Sequence, residues 1–392
     1  MMGTQAMGAA TNWSNPVERG AVDARAAITD GHGRFEIGRV TVAAPAPGEV
    51  RVRMLAAGLC RTDHDSMQWG ATLILGHEGS GTVVDVGAGV ANVAPGDFVI
   101  LNWAIPCGRC KRCMEGHDVL CEDVRPADPL AAPGGTVHAG ATRWNGVPID
   151  RSFNLGTLSE CTLVRAAAVT RITSPIPPSS AALIGCGVMT GVGSVLNVAR
   201  VAAGESVAVI GCGGVGLNVV QGARLAQASM IVAIDARPEA LDRATALGAT
   251  HSLLADGDVG IADRTTAAVL QLTRDRGVDH VFEATGRSDL ALACLALVRN
   301  GGNCVLVSGS SGEATLDLAR LWWNKRVIAP LYGDCKPSRD FPRLVEHYRR
   351  GELELDALVT RTYDIDSLAD AFADMLDGRN SKGVIVFPDV AG

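Results

Sequence analysis

The alternation of apolar and polar residues divides the chain into two parts with different predicted elements. Before about residue 188, short runs alternate every second residue, as over 49–55 (EVRVRML), which is typical of strands with one solvated face. Gly- and Pro-rich breaks such as 45–48 separate these runs. The pattern predicts a small twisted β domain with strands over 25–29, 35–42, 49–55, 81–87, 96–100 and 156–164. The polar stretch 124–155 predicts an irregular surface loop near a site.

The second part alternates buried apolar strands with helices. Strands are predicted over 205–210, 230–235, 279–283 and 302–307, with a helix over 217–226 between the first two. Such alternation favours a doubly wound parallel sheet. A small-residue helix begins near Ser179 and breaks near Cys186, and the chain is expected to rejoin the first domain from about Tyr332, with helices over 341–350 and 368–376. The predicted domains are therefore 1–187 with 332–392, mainly β, and 188–331, α/β.

Composition limits the classes of function. The net charge of −7 argues against non-specific binding to nucleic acid or to an anionic membrane. Residues 1–20 lack a basic start followed by an apolar core, so we expect a loose tail, and no run reaches the ~18 apolar residues of a membrane helix. Eleven cysteines without a leader fit a reducing compartment. We therefore expect a cytoplasmic protein without nucleic-acid or membrane partners.

Four cysteines lie within a lobe over 102–122. Their spacing, C-x2-C-x2-C-x7-C, lets short loops bring the sulfurs to about 2.3 Å from one tetrahedral zinc ion. The alternative is a pair of disulfides, which no secretory feature supports. The spacing predicts a closed, structural zinc site made by Cys107, Cys110, Cys113 and Cys121.

A glycine-rich turn follows the predicted strand 205–210 and opens the next helix. In the G-x-G-x-x-G pattern the first glycine allows the tight turn, the second lets a pyrophosphate approach, and the third lets the helix pack on the strand. An acidic residue at the end of the next strand would bind the adenosine ribose and repel a 2′-phosphate, which favours NAD over NADP. Arg237 could instead receive a 2′-phosphate, and the turn could also hold no ligand. The candidate cofactor residues are Gly211, Gly213, Gly214, Val215, Gly216, Asp235 and Arg237.

Two further residues are potential ligands of a second metal. Cys60 and His77 lie 17 positions apart at the ends of strand-loop segments. Taken singly, His77 could be a hydrogen-bonded core histidine, and Cys186, near the predicted helix break, is more often a small buried hydrophobe.

Six motifs, in their joint order, resemble those of the zinc-dependent medium-chain alcohol dehydrogenases over about 23–387. They are CRTD at 60–63, GHEG at 76–79, the four-cysteine lobe, LIGCG at 183–187, GCGGVG at 211–216 and GVI at 383–385. The resemblance implies a GroES-like, mainly-β catalytic domain carrying the lobe, and a Rossmann NAD-binding domain. It also implies two zinc ions per chain, the catalytic one bound by Cys60, His77 and Cys186.

The resemblance implies roles for the neighbours of these ligands. Asp63 would orient His77, and Glu78 would lie behind the metal as an alternate ligand, although either could instead be a plain solvated carboxylate. Thr62 would take the alcohol proton. Arg61 and Lys382 would reach the pyrophosphate, or would be ordinary surface charges.

Two departures from the family pattern bear on the substrate. Many members place a histidine where this chain has Asp65, and His64 lies one position earlier, so the proton would leave through Asp65, His64 or water. The segment from Cys60 to His77 is shorter than is usual in the family. Because that segment lines the substrate mouth, we expect a reshaped pocket, and the family does not identify the substrate.

The resemblance implies an NAD-dependent oxidoreductase that interconverts a small-molecule alcohol and an aldehyde or ketone. Two alternatives stay open: a thiol-adduct (formaldehyde-type) dehydrogenase, and a non-redox enzyme or scaffold that keeps the fold. The stretches 337–345 and 353–360 are similar to actinobacterial members, some of which hold their nicotinamide without releasing it. The family also implies a homodimer or homotetramer associating through the edge strand near 327–329.

Overall fold

The computed structural model describes residues 20–123, 142–255, 263–309 and 312–388. The predicted tail lies outside this range except for Gly20, as does the 124–141 part of the predicted loop. The described residues form two compact units, one drawn from Met1–Trp103, Asp128–Ala182 and Arg361–Gly392, the other from Ala104–Ala127 and Leu183–Thr360. This division groups residues by proximity, so the predicted domain boundaries stay a prediction.

The strands and helices are numbered in chain order. The strands are β1 (Val22–Thr29), β2 (Phe35–Val42), β3 (Glu49–Gly58), β4 (Leu73–Ile74), β5 (Ser80–Val86), β6 (Phe98–Leu101), β7 (Thr142–Trp144), β8 (Val147–Pro148), β9 (Asp150–Arg151), β10 (Cys161–Arg165), β11 (Val169–Arg171), β12 (Ser206–Ile210), β13 (Met230–Asp235), β14 (His251–Leu254), β15 (Val278–Glu283), β16 (Val298–Leu306), β17 (Arg326–Ile328), β18 (Val359–Tyr363) and β19 (Lys382–Val386). The helices are α1 (Arg61–Ser66), α2 (Lys111–Met114), α3 (Pro178–Leu183), α4 (Met189–Gly193), α5 (Gly214–Leu225), α6 (Pro238–Ala246), α7 (Asp263–Leu272), α8 (Ser288–Ala291), α9 (Pro337–Arg349) and α10 (Leu368–Leu376).

Two sheets build the first unit. One has the order β8-β7-β2-β1-β4-β9, and the other has the order β11-β6-β5-β3-β19-β18 with β10 also pairing to β3. Alternate residues of β1 and β2 point to one side and form an apolar core with residues of neighbouring strands, as period-2 patterning requires. This core contains Ala24, Ala26, Ile28, Val40, Val42, Ile74, Ile149, Cys161 and Leu163.

Strand β3 is buried on both faces, which the sequence pattern did not predict. It pairs with β5, β10 and β19, so its polar positions do not form the solvated face that the alternation indicated. Arg51 is only 4% exposed. Its guanidinium lies 3.3 Å from the Asp85 carboxylate and donates to the Gly20 carbonyl at 2.7 Å, which offsets the desolvation of its charge.

The second unit contains the predicted doubly wound sheet. Its parallel strands have the order β14-β13-β12-β15-β16-β17, which in chain order is 3-2-1-4-5-6 and defines a Rossmann sheet. The strand order reverses between β12 and β15. Ligands of such sheets bind where the carboxyl ends of the two central strands diverge, so the turns after Ile210 and Glu283 are the expected cofactor edge.

Two stretches differ from, or refine, the sequence prediction. Residues 142–151 were predicted to be irregular but form β7, β8 and β9 in the first sheet, so that prediction is wrong for the described part of the loop. The helix predicted to break near Cys186 instead continues there as a π-helical segment, Ile184–Val188, between α3 and α4, and a second such segment covers Ser194–Ala199. Among the described residues the run Pro178–Ala199 is long and apolar enough to cross a membrane, but 78% of its most apolar window is buried, as in a core helix.

Candidate metal centres and nucleotide-binding turn

Local hydrogen bonds position the first two predicted ligands of the catalytic metal. Cys60 is the N-cap of α1, and its backbone N–H donates to Asp63 Oδ2 at 3.0 Å. The other oxygen, Oδ1, lies 2.6 Å from His77 Nδ1, and both side chains are fully or almost fully buried. With its Nδ1–H donated to Asp63, His77 presents the Nε2 lone pair, which is the form a metal requires.

Glu78 adds a carboxylate to the thiol of Cys60 and the imidazole of His77 in the first unit. The ligand atoms of Cys60, His77 and Glu78 lie within 4.8 Å of one another. Glu78 is 0% exposed; its Oε1 accepts from Lys382 Nζ at 2.7 Å, and its Oε2 is buried with no hydrogen-bond partner among the described residues. A buried unpartnered carboxylate oxygen beside a thiol and an imidazole is costly unless a cation satisfies it, so this donor set fits zinc.

Burial and charge shift the pKa of both buried groups. Burial lowers the pKa of His77, but Asp63 and Cys60 outweigh it and hold that pKa well above its usual value. Burial raises the pKa of Glu78 to about 7 although the Lys382 ammonium lowers it. Lys382 Nζ also donates to the Leu59 carbonyl at 2.7 Å, so within this unit its ammonium is hydrogen-bonded to both Leu59 and the Glu78 carboxylate. Its predicted contact with the pyrophosphate stays a prediction.

The remaining predicted residues of this motif lie on or beside α1. The Thr62 hydroxyl is 3.7 Å from Cys60 Sγ. The exposed Asp65 accepts from Arg61 Nε at 3.0 Å, and His64 packs edge-on against Phe372 with ring centroids 5.8 Å apart. Their predicted roles in proton transfer and phosphate binding stay predictions.

The third predicted ligand, Cys186, lies in the second unit. It is buried in the π-helical segment Ile184–Val188, and the carbonyl of its neighbour Gly185 accepts a short hydrogen bond from the Tyr332 hydroxyl. Segments of this kind are frequent at functional sites. Its role as a ligand stays a prediction.

The four-cysteine lobe converges as predicted. Its ligand sulfurs lie within 4.8 Å of one another, and none of these four cysteines is in a disulfide, so the disulfide alternative finds no support. Backbone N–H groups point at the sulfurs: Cys110 N donates to Cys107 Sγ at 3.3 Å, and Cys107 N donates to Cys121 Sγ at 3.3 Å. A hydrogen bond from Cys113 N contributes most to lowering the pKa of Cys110 to about 7. Such donors stabilise the thiolates that zinc binds.

The glycine-rich turn has a different constraint at each glycine. Gly211 has φ +88°, which favours glycine. A Cβ on Gly216 would lie 1.8 Å from the Gly211 carbonyl oxygen, whereas a Cβ on Gly213 would meet nothing within 4 Å. Helix α5 begins at Gly214 with no side-chain cap. The first and third positions are therefore fixed by packing, and the second leaves the helix N-terminus open to an anion.

The acidic residue after β13 is held close to this turn. Asp235 Oδ2 accepts from Cys212 N at 2.7 Å, and Oδ1 accepts from Arg237 N at 2.9 Å. Arg237 Nε lies 3.7 Å from Oδ1. The arginine charge is thus directed at the carboxylate, and the predicted preference for NAD stays a prediction.

The structure brings together one group that sequence reasoning missed. The Phe153 ring lies 4.9 Å from the His77 ring, 5.6 Å from Trp69 and 5.3 Å from Trp103, measured between centroids. Phe153 falls in the stretch predicted to be irregular, and no periodicity marks it. A cluster of aromatic residues from three separate segments has no signal in the sequence alone.

Comparisons with known proteins agree with this architecture. The family model "Alcohol dehydrogenase GroES-like domain" matches residues 46–177, and "Zinc-binding dehydrogenase" matches residues 214–349. An S-(hydroxymethyl)glutathione dehydrogenase of Escherichia coli is 36% identical over 372 residues, covering 92% of this chain and 99% of that protein. The chain therefore belongs to the zinc-containing medium-chain alcohol dehydrogenase family, and the predicted fold class is confirmed.

Two solved structures are similar along most of their length. An alcohol dehydrogenase zinc-binding domain protein from Burkholderia ambifaria has a TM-score of 0.84 and 29% identity, covering 94% of this chain and 100% of that chain. The benzyl alcohol dehydrogenase of Acinetobacter calcoaceticus has a TM-score of 0.82 and 26% identity, covering 93% of this chain and 99% of that chain. The chain is thus a zinc-dependent oxidoreductase of this family.

Proposed function

We propose that this protein is an NAD-dependent zinc alcohol dehydrogenase that interconverts an alcohol and an aldehyde or ketone. The observation that carries the proposal is the cluster of Cys60, His77 and Glu78, in which Asp63 orients the imidazole and Glu78 Oε2 is buried without a partner in the described part of the chain. A scaffold would need only the four-cysteine lobe. An arrangement of buried, mutually close ligand atoms is costly to keep without a metal.

In this proposal Cys60, His77 and Cys186 hold the catalytic zinc, with Glu78 as the alternate ligand. When bound, zinc supplies Lewis acidity that eases loss of the alcohol proton, and NAD⁺ accepts the hydride, so an alcohol and NAD⁺ give a carbonyl compound, NADH and a proton. Asp63 keeps His77 in the ligating tautomer, and Lys382 compensates the Glu78 charge. Thr62 receives the alcohol proton, which leaves through His64, Asp65 or water.

The same proposal assigns the cofactor to the turn after β12. Gly213, Gly214 and Val215 bring the helix N-terminus to the pyrophosphate, and Asp235 binds the adenosine ribose. The engagement of Arg237 by Asp235 supports NAD over NADP. Denaturing the purified protein and quantifying the released nucleotide tests this assignment and also whether the cofactor is held tightly; recovery of NADP(H) would contradict the role of Asp235.

Metal analysis with one substitution tests the catalytic centre. The enzyme should contain two zinc ions per chain, and Cys186→Ala should remove one zinc and alcohol oxidation while the fold persists. Cys161→Ala is the matched control, because Cys161 is also a buried cysteine but lies outside both cysteine clusters. One zinc per wild-type chain, or full turnover by the Cys186 variant, would overturn the proposal.

A second candidate function is a thiol-adduct dehydrogenase, and the relative from Escherichia coli favours it. A thiol adduct of glutathione carries carboxylates, so its site needs cationic side chains near the metal. Steady-state rates with formaldehyde plus glutathione, compared with simple alcohols, separate the two functions. A preference of about 100-fold for the adduct, equal to roughly 2.7 kcal/mol of transition-state binding, would favour the second candidate.

We also propose a cytoplasmic homodimer or homotetramer. Strand β17 is one of the two edge strands of the parallel sheet, and the stretch 318–331 around it exposes apolar side chains, as expected of an interface. These side chains are Leu318, Trp322, Trp323, Val327 and Leu331. Light scattering should give at least twice the mass of one chain, and Val327→Lys should lower it, while Val147→Lys, an exposed valine on β8, should not.

A further inference from the structure

A turn over 332–334 in the second unit has a backbone conformation that side chains rarely adopt. Tyr332, Gly333 and Asp334 have φ of 53°, 62° and 51°. A left-handed conformation at a bulky residue such as tyrosine is unfavourable and persists where the surrounding structure imposes it, often at functional sites. Tyr332 is nevertheless only 2% exposed. The chain therefore keeps this ring inside the unit at a conformational cost.

Contacts with α4 and with the second π-helical segment hold the turn in place. A Cβ on Gly333 would lie 2.6 Å from the Met189 carbonyl oxygen and 2.8 Å from Gly193 Cα, so the backbones of the turn and of α4 are in direct contact. Asn197 Nδ2, in the second π-helical segment, donates to the Gly333 carbonyl at 3.1 Å. Because the turn is fixed from two helical segments, the Tyr332 ring has little freedom to move relative to them.

The Tyr332 hydroxyl reaches the first π-helical segment, Ile184–Val188. It donates to the carbonyl of the buried Gly185, which lies 147 positions earlier in the chain. Hydrogen bonds of a π-helix join residues five apart instead of four, so a carbonyl near the change between the two patterns is open to a donor from outside the helix. The phenol supplies such a donor, one residue before Cys186.

The conformation of this segment determines the direction of the Cys186 side chain. Successive residues of an α-helix are separated by about 100° around its axis, so a change from π-helical to α-helical bonding redirects the side chains of the segment by a large part of that angle. Metal ligands have to be held within about 10–20° of their productive geometry. A π-helical segment that is not fixed would therefore turn this sulfur away from a metal.

We propose that Tyr332 is a positioning residue for the catalytic zinc. Its hydroxyl holds the Gly185 carbonyl and thereby keeps the segment Ile184–Val188 in the conformation in which Cys186 ligates the metal. The inference rests on the proposed function, in which Cys186 is a zinc ligand. Tyr332 acts on the metal only through the backbone next to that ligand. Removing a partner that orients a metal ligand commonly weakens metal binding by about 10–100-fold.

The test is Tyr332→Phe, which keeps the buried ring and removes only the hydroxyl. Competition with a chromogenic zinc chelator measures zinc affinity, and comparison with Cys186→Ala identifies the catalytic ion as the one that this variant lacks. In Tyr332→Phe the catalytic zinc should bind at least about 10-fold more weakly, while the zinc of the four-cysteine lobe keeps its wild-type affinity. A merely structural role would lower the Tm and leave the affinity for the catalytic zinc unchanged.

The matched control is Tyr348→Phe. Tyr348 lies in the same unit, and its hydroxyl donates to Asp356 Oδ2 at 2.9 Å, far along the chain from the π-helical segment. This variant should bind both zinc ions like the wild type. Absorption of the cobalt-substituted proteins gives a second readout. The sulfur-to-cobalt charge-transfer band that Cys186→Ala removes should weaken in Tyr332→Phe and persist in Tyr348→Phe.

The outcomes separate this inference from the proposed function. If the wild type holds two zinc ions and Tyr332→Phe binds both with wild-type affinity, the positioning role is wrong and the proposed function stands. If the wild type holds only the zinc of the four-cysteine lobe, the proposed function is wrong and the inference fails with it. Equal weakening of zinc binding in Tyr332→Phe and Tyr348→Phe would show a general loss of stability and would also overturn the positioning role.

Discussion

The glycine-rich turn after β12 offers a paired test of packing against ligand binding. Gly216→Ala places a methyl group 1.8 Å from the Gly211 carbonyl oxygen and 3.4 Å from Ala284 Cβ. The nearest neighbour is backbone, which cannot rotate away, so α5 must move relative to β12. Gly213→Ala adds the same methyl group where nothing lies within 4 Å.

The two substitutions should change the stability of the cofactor-free protein by very different amounts. Overpacking of this severity costs up to about 3 kcal/mol, and alanine returns about 1 kcal/mol as a better helix former, so Gly216→Ala should lose about 2 kcal/mol of stability. For a unit of this size that corresponds to a fall in Tm of roughly 4–8 °C. Gly213→Ala should leave the Tm of the cofactor-free protein within about 1 °C, because no contact in the fold changes.

The assay is thermal unfolding of both zinc-loaded variants with and without NAD. At a ligand concentration of 100 Kd, binding adds about 2.7 kcal/mol of stability, and a tenfold weaker Kd removes about 1.4 kcal/mol of it. Gly213→Ala should therefore lose about half of the NAD-induced stabilisation. A cofactor-free Gly216→Ala protein that unfolds like wild type would refute the packing argument, and a Gly213→Ala protein with an unchanged NAD response would refute the proposed position of the pyrophosphate.

Three further predictions concern the lobe, the buried ion pair and acid stability. Cys110→Ser should lower zinc content by one ion per chain and destabilise the protein, as metal analysis and thermal unfolding would reveal. Lys382→Met leaves the Glu78 carboxylate buried without its cation and should cost about 3–5 kcal/mol in chemical denaturation, while adding Glu78→Gln should recover part of that loss. Burial raises the pKa of Asp279, but hydrogen bonds from Ser206 and Arg299 outweigh it and hold the pKa below 3.8. The stability advantage of wild type over Asp279→Asn should therefore be complete well above pH 3.8 and vanish as the pH falls through the lower pKa of the folded state, which urea titrations across pH would test.

Much of the fold could be predicted because its signals are local. The strands β1, β2, β12 and β13 follow their apolar patterns closely, and the helix after the glycine-rich turn begins within it, because glycines and strand periodicity act over a few neighbouring residues. The lobe was predictable for the same reason, since its four sulfurs converge through short loops. Local chemistry therefore accounts for the sheets, the turn and the lobe.

The missed features depend on residues that are distant in sequence. The burial of Arg51 depends on Asp85, which lies 34 positions away and supplies the compensating charge. Strands β8 and β9 have two residues each, too few for any periodicity to appear, so the stretch around them looked irregular. The contact of Phe153 with His77 combines both difficulties, because an unusual backbone conformation places a ring against a residue 76 positions earlier.

Charge balance in the first unit gives an independent reason to expect a divalent cation there. With Cys60 as a thiolate and Glu78 and Asp63 as carboxylates, three negative charges lie close together beside the Lys382 ammonium and the His77 ring, whose pKa Asp63 and Cys60 hold well above its usual value. Protein interiors do not keep such charges unpaired, since groups that are not compensated take up protons instead. The elevated pKa of Glu78, at about 7, has burial as its main cause and Cys60 as a further one. A divalent cation ligated by these groups removes the repulsion, keeps the thiolate ionised and satisfies Glu78 Oε2, so the electrostatics and the hydrogen-bond geometry of the cluster lead to the same metal.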